Sequence, residues 1–446
     1  FHAWEYSHSP KSTKLHRNVV LRNEITPELP RSSLETSEES QLRHQLVDLC
    51  NDTDTGCEAI AIPHNPNLSN GQMFRVEYAE LPLERQREEA ALRARLEPVV
   101  EMMQIKGESE CRNGMYQVLG GEDELCNFEK IRDFGQPDLE DCQEGSGSGA
   151  QAGKGCTSRT DYVRYALLEG LQEEQRIGVN PYVFGFIGST DNHTATPGSV
   201  SEYDRTYKFG YTVQQMLTIG GSRRSAAFQS PGGLAGVWAE ENTRDAIFDA
   251  FKRRETFATS GPRIAPRFFG GWNMPADICD NPDMAAQGYR AGVPMGSVLP
   301  ATNNDKAAPA FLVSAAADPG TADAPGVPLQ RLQVIKGWLG EDGEFHQQVI
   351  DIAGDANNGA DVDLATCAPR GTGFANLCSV WKDPTFDPDQ DAVYYARVVE
   401  NPSCRWSTRM CLSLPEDERP DGCSSDRLPK TIQERAWTAP IWYGAE

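Results

Sequence analysis

The sequence predicts an α/β fold in its first part and a β-rich, sandwich-like region after it. Up to about residue 265, short apolar runs alternate with amphipathic helical patterns. Beyond that point Pro, Gly, Asn and Asp become dense, and helical periodicity gives way to short β-type runs. Strands alternating with helices point to parallel βα units, hence to an α/β barrel or an open doubly wound sheet.

Each element has its own justification. Val19-Val20-Leu21 follows a polar turn and reads as a strand. Residues 34–49 read as a helix, with Leu42, Leu46 and Leu49 on one face. Ala59 to Ile62 is a continuous apolar run, as expected of a strand buried on both faces. Residues 83–97 form a charged helix with Leu92 and Leu96 four apart, and Val99 to Met103 is the next strand. Residues 159–176 form a helix carrying Tyr162, Ala166 and Leu167 on one side, followed by a buried strand from Val183 to Ile187. In the helix over 242–254, Asn242 can cap the start, with Asp245 three residues on. Lys252-Arg253-Arg254 suits the negative end of its dipole. The β-type runs 311–313, 332–335, 348–350 and 393–399 then define the second region. The expected division is therefore 1–265 and 266–446, with a mobile Gly/Ser-rich loop over about 143–155.

Composition narrows the function. The 446 residues carry a net charge of −23, which repels phosphate backbones, and the densest basic clusters are pairs. A nucleic-acid partner is excluded on that ground. No run approaches the ~20 apolar residues of a membrane span. Twelve Cys in mostly polar segments favour disulfides and an oxidising compartment, periplasmic or secreted. No C-x-x-C occurs, which disfavours a zinc ribbon. The local pairs Cys50/Cys57, Cys111/Cys126, Cys367/Cys378 and Cys404/Cys411 are the first to consider, although connectivity does not follow from sequence.

The seven His fall informatively. His64 follows the Ala59–Ile62 strand, and Asp191 and His193 follow the Val183–Ile187 strand. Ligands in α/β folds gather at the carboxyl ends of parallel strands. In D-x-H on a strand, residues i and i+2 face the same way, so both side chains could meet one ion. Imidazole with carboxylate suits Zn, Mn or Fe. Glu5, between Trp4 and Tyr6, and His16, at a strand start, are further candidate ligands, each with a structural alternative. His2, His8, His44 and His346 read as surface residues. Glu101 and Lys106 flank Gln104 and could line a pocket, although an exposed alternating face is the plainer reading. Arg244 and Arg263 could meet an anionic substrate or simply the surplus acid. No P-loop or G-x-S-x-G elbow occurs, and Ser189 and Ser260 have no obvious His and acid partners.

Several phrases together resemble one family. They are His16-Arg17-Asn18-Val19, the run from Ala61 to Gly71, Lys106-Gly107-Glu108-Ser109-Glu110-Cys111 and Gly185 to His193. Gly236 to Arg244, Thr259 to Arg263 and Arg435-Ala436-Trp437-Thr438 continue the match over nearly the whole chain. This resembles a large bacterial family catalogued as a domain of unknown function and related to the polymerase-and-histidinol-phosphatase (PHP) metal-dependent hydrolases. The resemblance implies a distorted (β/α)7 barrel holding two or three metals. It implies that Glu5 is the mid-barrel glutamate ligand and His16 the histidine after it. It further implies that His64 belongs to the strand–Pro–His turn and that Asp191 and His193 form the closing D-x-H pair. Such proteins open with H-x-H, and no two His are two apart here. With Phe rather than Met at residue 1, the expectation is a chain that begins inside the natural protein. It would then hold about two-thirds of the barrel, expose a sheet edge and bind metal weakly when alone.

The function expected is metal-dependent hydrolysis of a phosphoester or related anionic ester by a metal-activated hydroxide. The partner would be a small anionic substrate, with catalysis at His64, Asp191 and His193. Arg244, Arg263 and Glu101 would contribute to binding. The alternative is a non-enzymatic envelope binding or scaffold protein with a vestigial metal site.

Overall fold

The structure is a computed structural model that describes all residues except 133–138, 204–211, 220–225, 302–307, 342 and 445–446. Strands β1 (His2–Tyr6), β2 (Arg17–Leu21) and β3 (Ala59–Pro63) form one sheet in that order, antiparallel throughout. Helices α1 (Glu39–Leu46) and α2 (Leu83–Leu96) supply apolar side chains to it. Leu42, Leu46 and Leu96 pack with Tyr6, Val19, Leu21, Ala59 and Ala61 in one cluster. Leu42 and Leu46 are four apart, so one stripe of α1 reaches that cluster.

Strand β4 (Val99–Gln104) runs parallel to β5 (Gly185–Gly188), with helix α3 (Val163–Ile177) between them in sequence. Helix α3 ends at Gly178, which takes the left-handed conformation (φ 77°) that favours glycine at a helix end. Next come β6 (Leu234–Val237), α4 (Arg244–Lys252) and β7 (Thr256–Thr259). The side chain of Thr243, rather than Asn242, caps α4 by accepting the Ala246 N–H at 3.3 Å.

After residue 265 the chain is mostly strand: β8 (Ala265–Gly271), β9 (Ala310–Ala316), β10 (Leu329–Leu339), β11 (Phe345–Gly354), β12 (Asn376–Lys382), β13 (Ala392–Glu400), β14 (Arg435–Thr438) and β15 (Ile441–Tyr443). The largest sheet has the order β11-β10-β13-β14-β7-β6, with Val118–Leu119 at the β11 edge and β15 also beside β13. A second sheet sets Val293–Pro294, β8, β9 and β12 side by side. Phe268, Phe311 and Val313 from this second sheet share a core with Leu332, Val334, Tyr394 and Val398 from the largest one. Strands from both sides of residue 265 thus share one sheet, because β6 and β7 join it through β14.

The expected (β/α)7 barrel is not formed: no sheet closes among the described residues. Strand direction explains the difference. The link from β2 to β3 carries α1, yet β3 returns antiparallel. Parallel pairing among the described strands is confined to β4 with β5 and to Val118–Leu119 with β11. A strand–helix–strand pattern in sequence does not fix the direction of return. The full burial of β3, expected of a parallel sheet, here arises in an antiparallel one.

All twelve Cys are paired. Cys50–Cys57 and Cys111–Cys126 are the expected local pairs. The pairs Cys367/Cys378 and Cys404/Cys411 are replaced by Cys279–Cys378, Cys367–Cys404 and Cys411–Cys423, with Cys142–Cys156 in addition. Cys378 lies on β12, and the fold brings Cys279, 99 residues away in sequence, beside it. Six disulfides are consistent with an oxidising location. Among the described residues no helix is long and apolar enough to cross a membrane.

Candidate functional site

The ends of three strands converge on one group of side chains. On β1, Tyr6 is fully buried in the core, so the neighbouring Glu5 projects from the opposite face of the sheet. His16 immediately precedes β2 and His64 immediately follows β3. Because Arg17 pairs with Pro63 in the antiparallel register, the start of β2 lies beside the end of β3. The His64 N–H donates to the His16 carbonyl at 3.3 Å, and the two rings meet edge to face with centroids 5.4 Å apart.

Glu5 Oε1 sits between the two imidazoles, 2.5 Å from His16 Nδ1 and 3.2 Å from His64 Nε2. The ligand atoms of these three residues lie within 4.8 Å of one another. Hydrogen bonds from His16 and then His64 hold the Glu5 carboxyl far below its usual range, against the effect of burial. Burial lowers the His16 imidazole, while its hydrogen bond to Glu5 opposes that shift. The other His16 nitrogen, Nε2, is 2.7 Å from Ser9 Oγ. His64 Nδ1 is buried and has no hydrogen-bond partner.

Beyond His64 the chain turns sharply at Asn65, whose φ of 58° lies in the left-handed region that Asn tolerates. That turn links the histidines to a second group. The Asn65 N–H donates to Glu101 Oε1 at 3.3 Å, and its side-chain amide donates to Asp191 Oδ2 at 3.1 Å. Asp191 Oδ2 also accepts from Gln104 Nε2 at 2.8 Å and from the Lys106 ammonium. Burial alone would raise the Asp191 carboxyl, but the charge and hydrogen bond of Lys106 hold it at about 2. Glu101 is buried, which raises its carboxyl, and Ser189 Oγ donates to its Oε2. Lys14 lies near the same carboxylates, and burial, aided by the charge of Lys106, brings its ammonium down to about 8.

The structure therefore brings Glu5, His16 and His64 together and joins Asp191 and Glu101 to them through Asn65. His193 is exposed and outside the group. The i, i+2 argument does not apply there, because Asp191 has φ 46° and lies outside any strand. Arg244 is exposed and paired with Glu24 at 3.0 Å. Arg263 is exposed and lines a different cavity, of about 380 Å³. The exposed alternating face considered for Glu101 is corrected: all of β4 is buried. Ser189 and Ser260 do have acid partners, Glu101 and Glu434.

Sequence reasoning missed Asn65, Gln104, Lys14 and Ser9 as contributors. The available signal was position, since Asn65 directly follows His64 and Gln104 ends the strand that carries Glu101. Two other groups of ligand-type residues contain Cys111. Its sulfur is committed to the disulfide with Cys126, which leaves Glu5, His16 and His64 as the open donor set among the described residues.

A family model described as "Protein of unknown function (DUF3604)" matches residues 1–445. The chain belongs to the DUF3604 family. No curated protein and no solved structure matches this DUF3604 chain.

Proposed function

We propose that this DUF3604 chain is a metal-dependent hydrolase acting on a phosphoester or related anionic ester, with Glu5, His16 and His64 as metal ligands. The observation that carries the reading is the convergence of one carboxylate and two imidazoles within 4.8 Å at three strand ends. The donor set fits a divalent Zn, Mn or Fe ion, with His16 Nδ1 and His64 Nε2 the ring nitrogens that face Glu5. When bound, such an ion supplies Lewis acidity and lowers the pKa of a water molecule.

The chain's own residues do the rest. Glu5 offers a carboxylate kept ionised by its neighbours. Ser9 orients the His16 ring by its hydrogen bond to Nε2, which fixes the direction in which Nδ1 points. Asp191 anchors the Lys106 ammonium, and Lys14 is a second amine beside the same carboxylates. These two amines are groups that an anionic substrate could meet. Kinship with the PHP hydrolases is part of the same proposal and rests on these residues rather than on barrel closure. A periplasmic or secreted location fits the six disulfides.

One observation favours the second reading, an envelope binding or scaffold protein with a vestigial site. Asp191 Oδ2 is occupied by Lys106, Gln104 and Asn65, and so is not presented to a second ion. Metal analysis together with assays on chromogenic phosphate, phosphonate and carboxylic esters separates the two. The hydrolase reading expects bound transition metal and turnover that is lost in His64→Ala and Asp191→Ala. Bound metal without turnover on any ester would favour the scaffold, and no bound metal would contradict the hydrolase.

A further inference from the structure

A cavity of about 380 Å³ lies apart from the Glu5–His16–His64 group, lined by residues 198–203 and 261–263 together with residues of the β-rich part. Its lining carries four carboxyl side chains, Glu202, Asp318, Glu400 and Glu434, against one guanidinium, that of Arg263. Two of the four are almost completely buried: Glu400 is 1% exposed and Glu434 3%. Each keeps a buried oxygen without a hydrogen-bond partner, Oε1 in both cases.

The other carboxylate oxygens show which positions the fold has already filled. Glu434 Oε2 accepts from Ser260, and Glu202 Oε2 accepts the Trp406 N–H. Asp318 accepts the N–H groups of Gly320 at 2.8 Å and Arg263 at 2.7 Å. Glu434 Oε1 lies beside Gly261, where an added Cβ would sit 3.5 Å from it and 3.0 Å from the Val200 carbonyl. Gly261 therefore keeps this part of the wall open. The Glu400 N–H donates to the Glu434 carbonyl at 2.9 Å, so the two acids are held on adjoining backbone.

A buried carboxyl oxygen without a partner costs free energy unless something meets it. Burial raises both carboxyls well above their usual range, and neighbouring acids add to the effect: Asp318 on Glu400, and Glu202 and Glu400 on Glu434. Both effects are relieved by a cation. The cavity is far larger than a single ion needs, and these acids do not form a set of three converging ligand atoms. Its walls also include Val200 and Val327, which suit an aliphatic body.

We propose that this cavity binds an organic cation, an amine-bearing small molecule whose ammonium group lies against Glu400 and Glu434. The inference is independent of the metal site. Titration calorimetry on the full chain tests it, with 1,5-diaminopentane and n-butylamine as probes and calcium chloride alone as the comparison. Saturable amine binding is expected, weakened roughly tenfold or more by Glu400→Gln and by Glu434→Gln. Thr321→Arg, at an exposed lining position, places a competing cation at the mouth and is expected to weaken binding if the buried variants do not fold. Absence of saturable amine binding overturns the proposal, as does binding that none of the folded variants changes. Calcium binding that is sensitive to Glu400→Gln, without amine binding, overturns it in favour of a metal site.

Discussion

Two clusters of ionisable side chains in this molecule use similar carboxylates to opposite ends. In the first, Glu110 and Asp123 face Arg164 and Arg397, all four almost wholly buried. Glu110 also accepts from Tyr395 at 2.6 Å and from the Trp437 indole at 2.7 Å. Two anions meet two guanidiniums, and the network ties α3 to β13 and β14. In the second, Glu5 meets two imidazoles, its side chain is 38% exposed, and a His64 nitrogen is left without a partner. The first cluster is sealed and charge-balanced, as a structural clamp requires. The second is partly open to solvent, and its carboxylate is shared between two imidazoles rather than locked by guanidiniums, as a ligand site requires. Proximity of acidic and basic groups alone does not distinguish the two; satisfaction of their lone pairs does.

The strongest way to break this comparison is Glu110→Ala. It leaves Arg164 and Arg397 short of a buried partner and is expected to cost about 3–5 kcal/mol in chemical denaturation. A loss below ~1 kcal/mol would show that the network is not a clamp.

Acid sharpens the same point at a second sealed cluster, where Glu97 meets Arg17, Arg43 and Arg93. Burial pushes the Glu97 carboxyl up, but the three guanidiniums win and hold it at about 2, below its ordinary 4.5. The folded value is depressed, so the stabilisation is complete above pH 4.5 and is lost as pH falls towards about 2. Melting temperature is expected to fall steeply through that window in the native chain and less steeply in Glu97→Gln.

At the open site the effect on stability is smaller. Glu5→Gln is expected to cost about 1 kcal/mol or less without added metal, because the carboxylate is partly solvated. In the presence of metal the cost rises with ligand concentration, because a ligand that binds only the folded state stabilises it. The smallest effect belongs to Arg244→Ala, which removes an exposed pair with Glu24. It is expected to change stability by about 0–1 kcal/mol and to leave ester turnover unchanged.

The strands and helices near the site were legible because their apolar patterns are local. Ala59–Ile62 and Val99–Met103 announce buried strands by composition alone, and His64 stands out by following one of them. The direction of pairing was not legible, because antiparallel return of β3 depends on the path of the chain through residues 22–58. Asp191 was found for its residue type and its place after a strand. The rotation that separates it from His193 comes from one positive φ, which the sequence D-N-H does not declare. Lys106 and Gln104 lie close to Glu101 in sequence, but their convergence on Asp191 requires β4 and β5 to lie side by side. The disulfides divide in the same way. Cys50–Cys57 and Cys111–Cys126 close short loops, whereas Cys279–Cys378 is set by packing around β12.

The central claim is that Glu5, His16 and His64 form a metal site. It is tested most directly by titrating the full chain with Zn, Mn and Fe(II) salts in a calorimeter, beside folded His64→Ala and Glu5→Gln variants. One saturable site is expected for at least one of these ions, weakened roughly tenfold or more in both variants. No saturable site, or a site that neither variant disturbs, would contradict it.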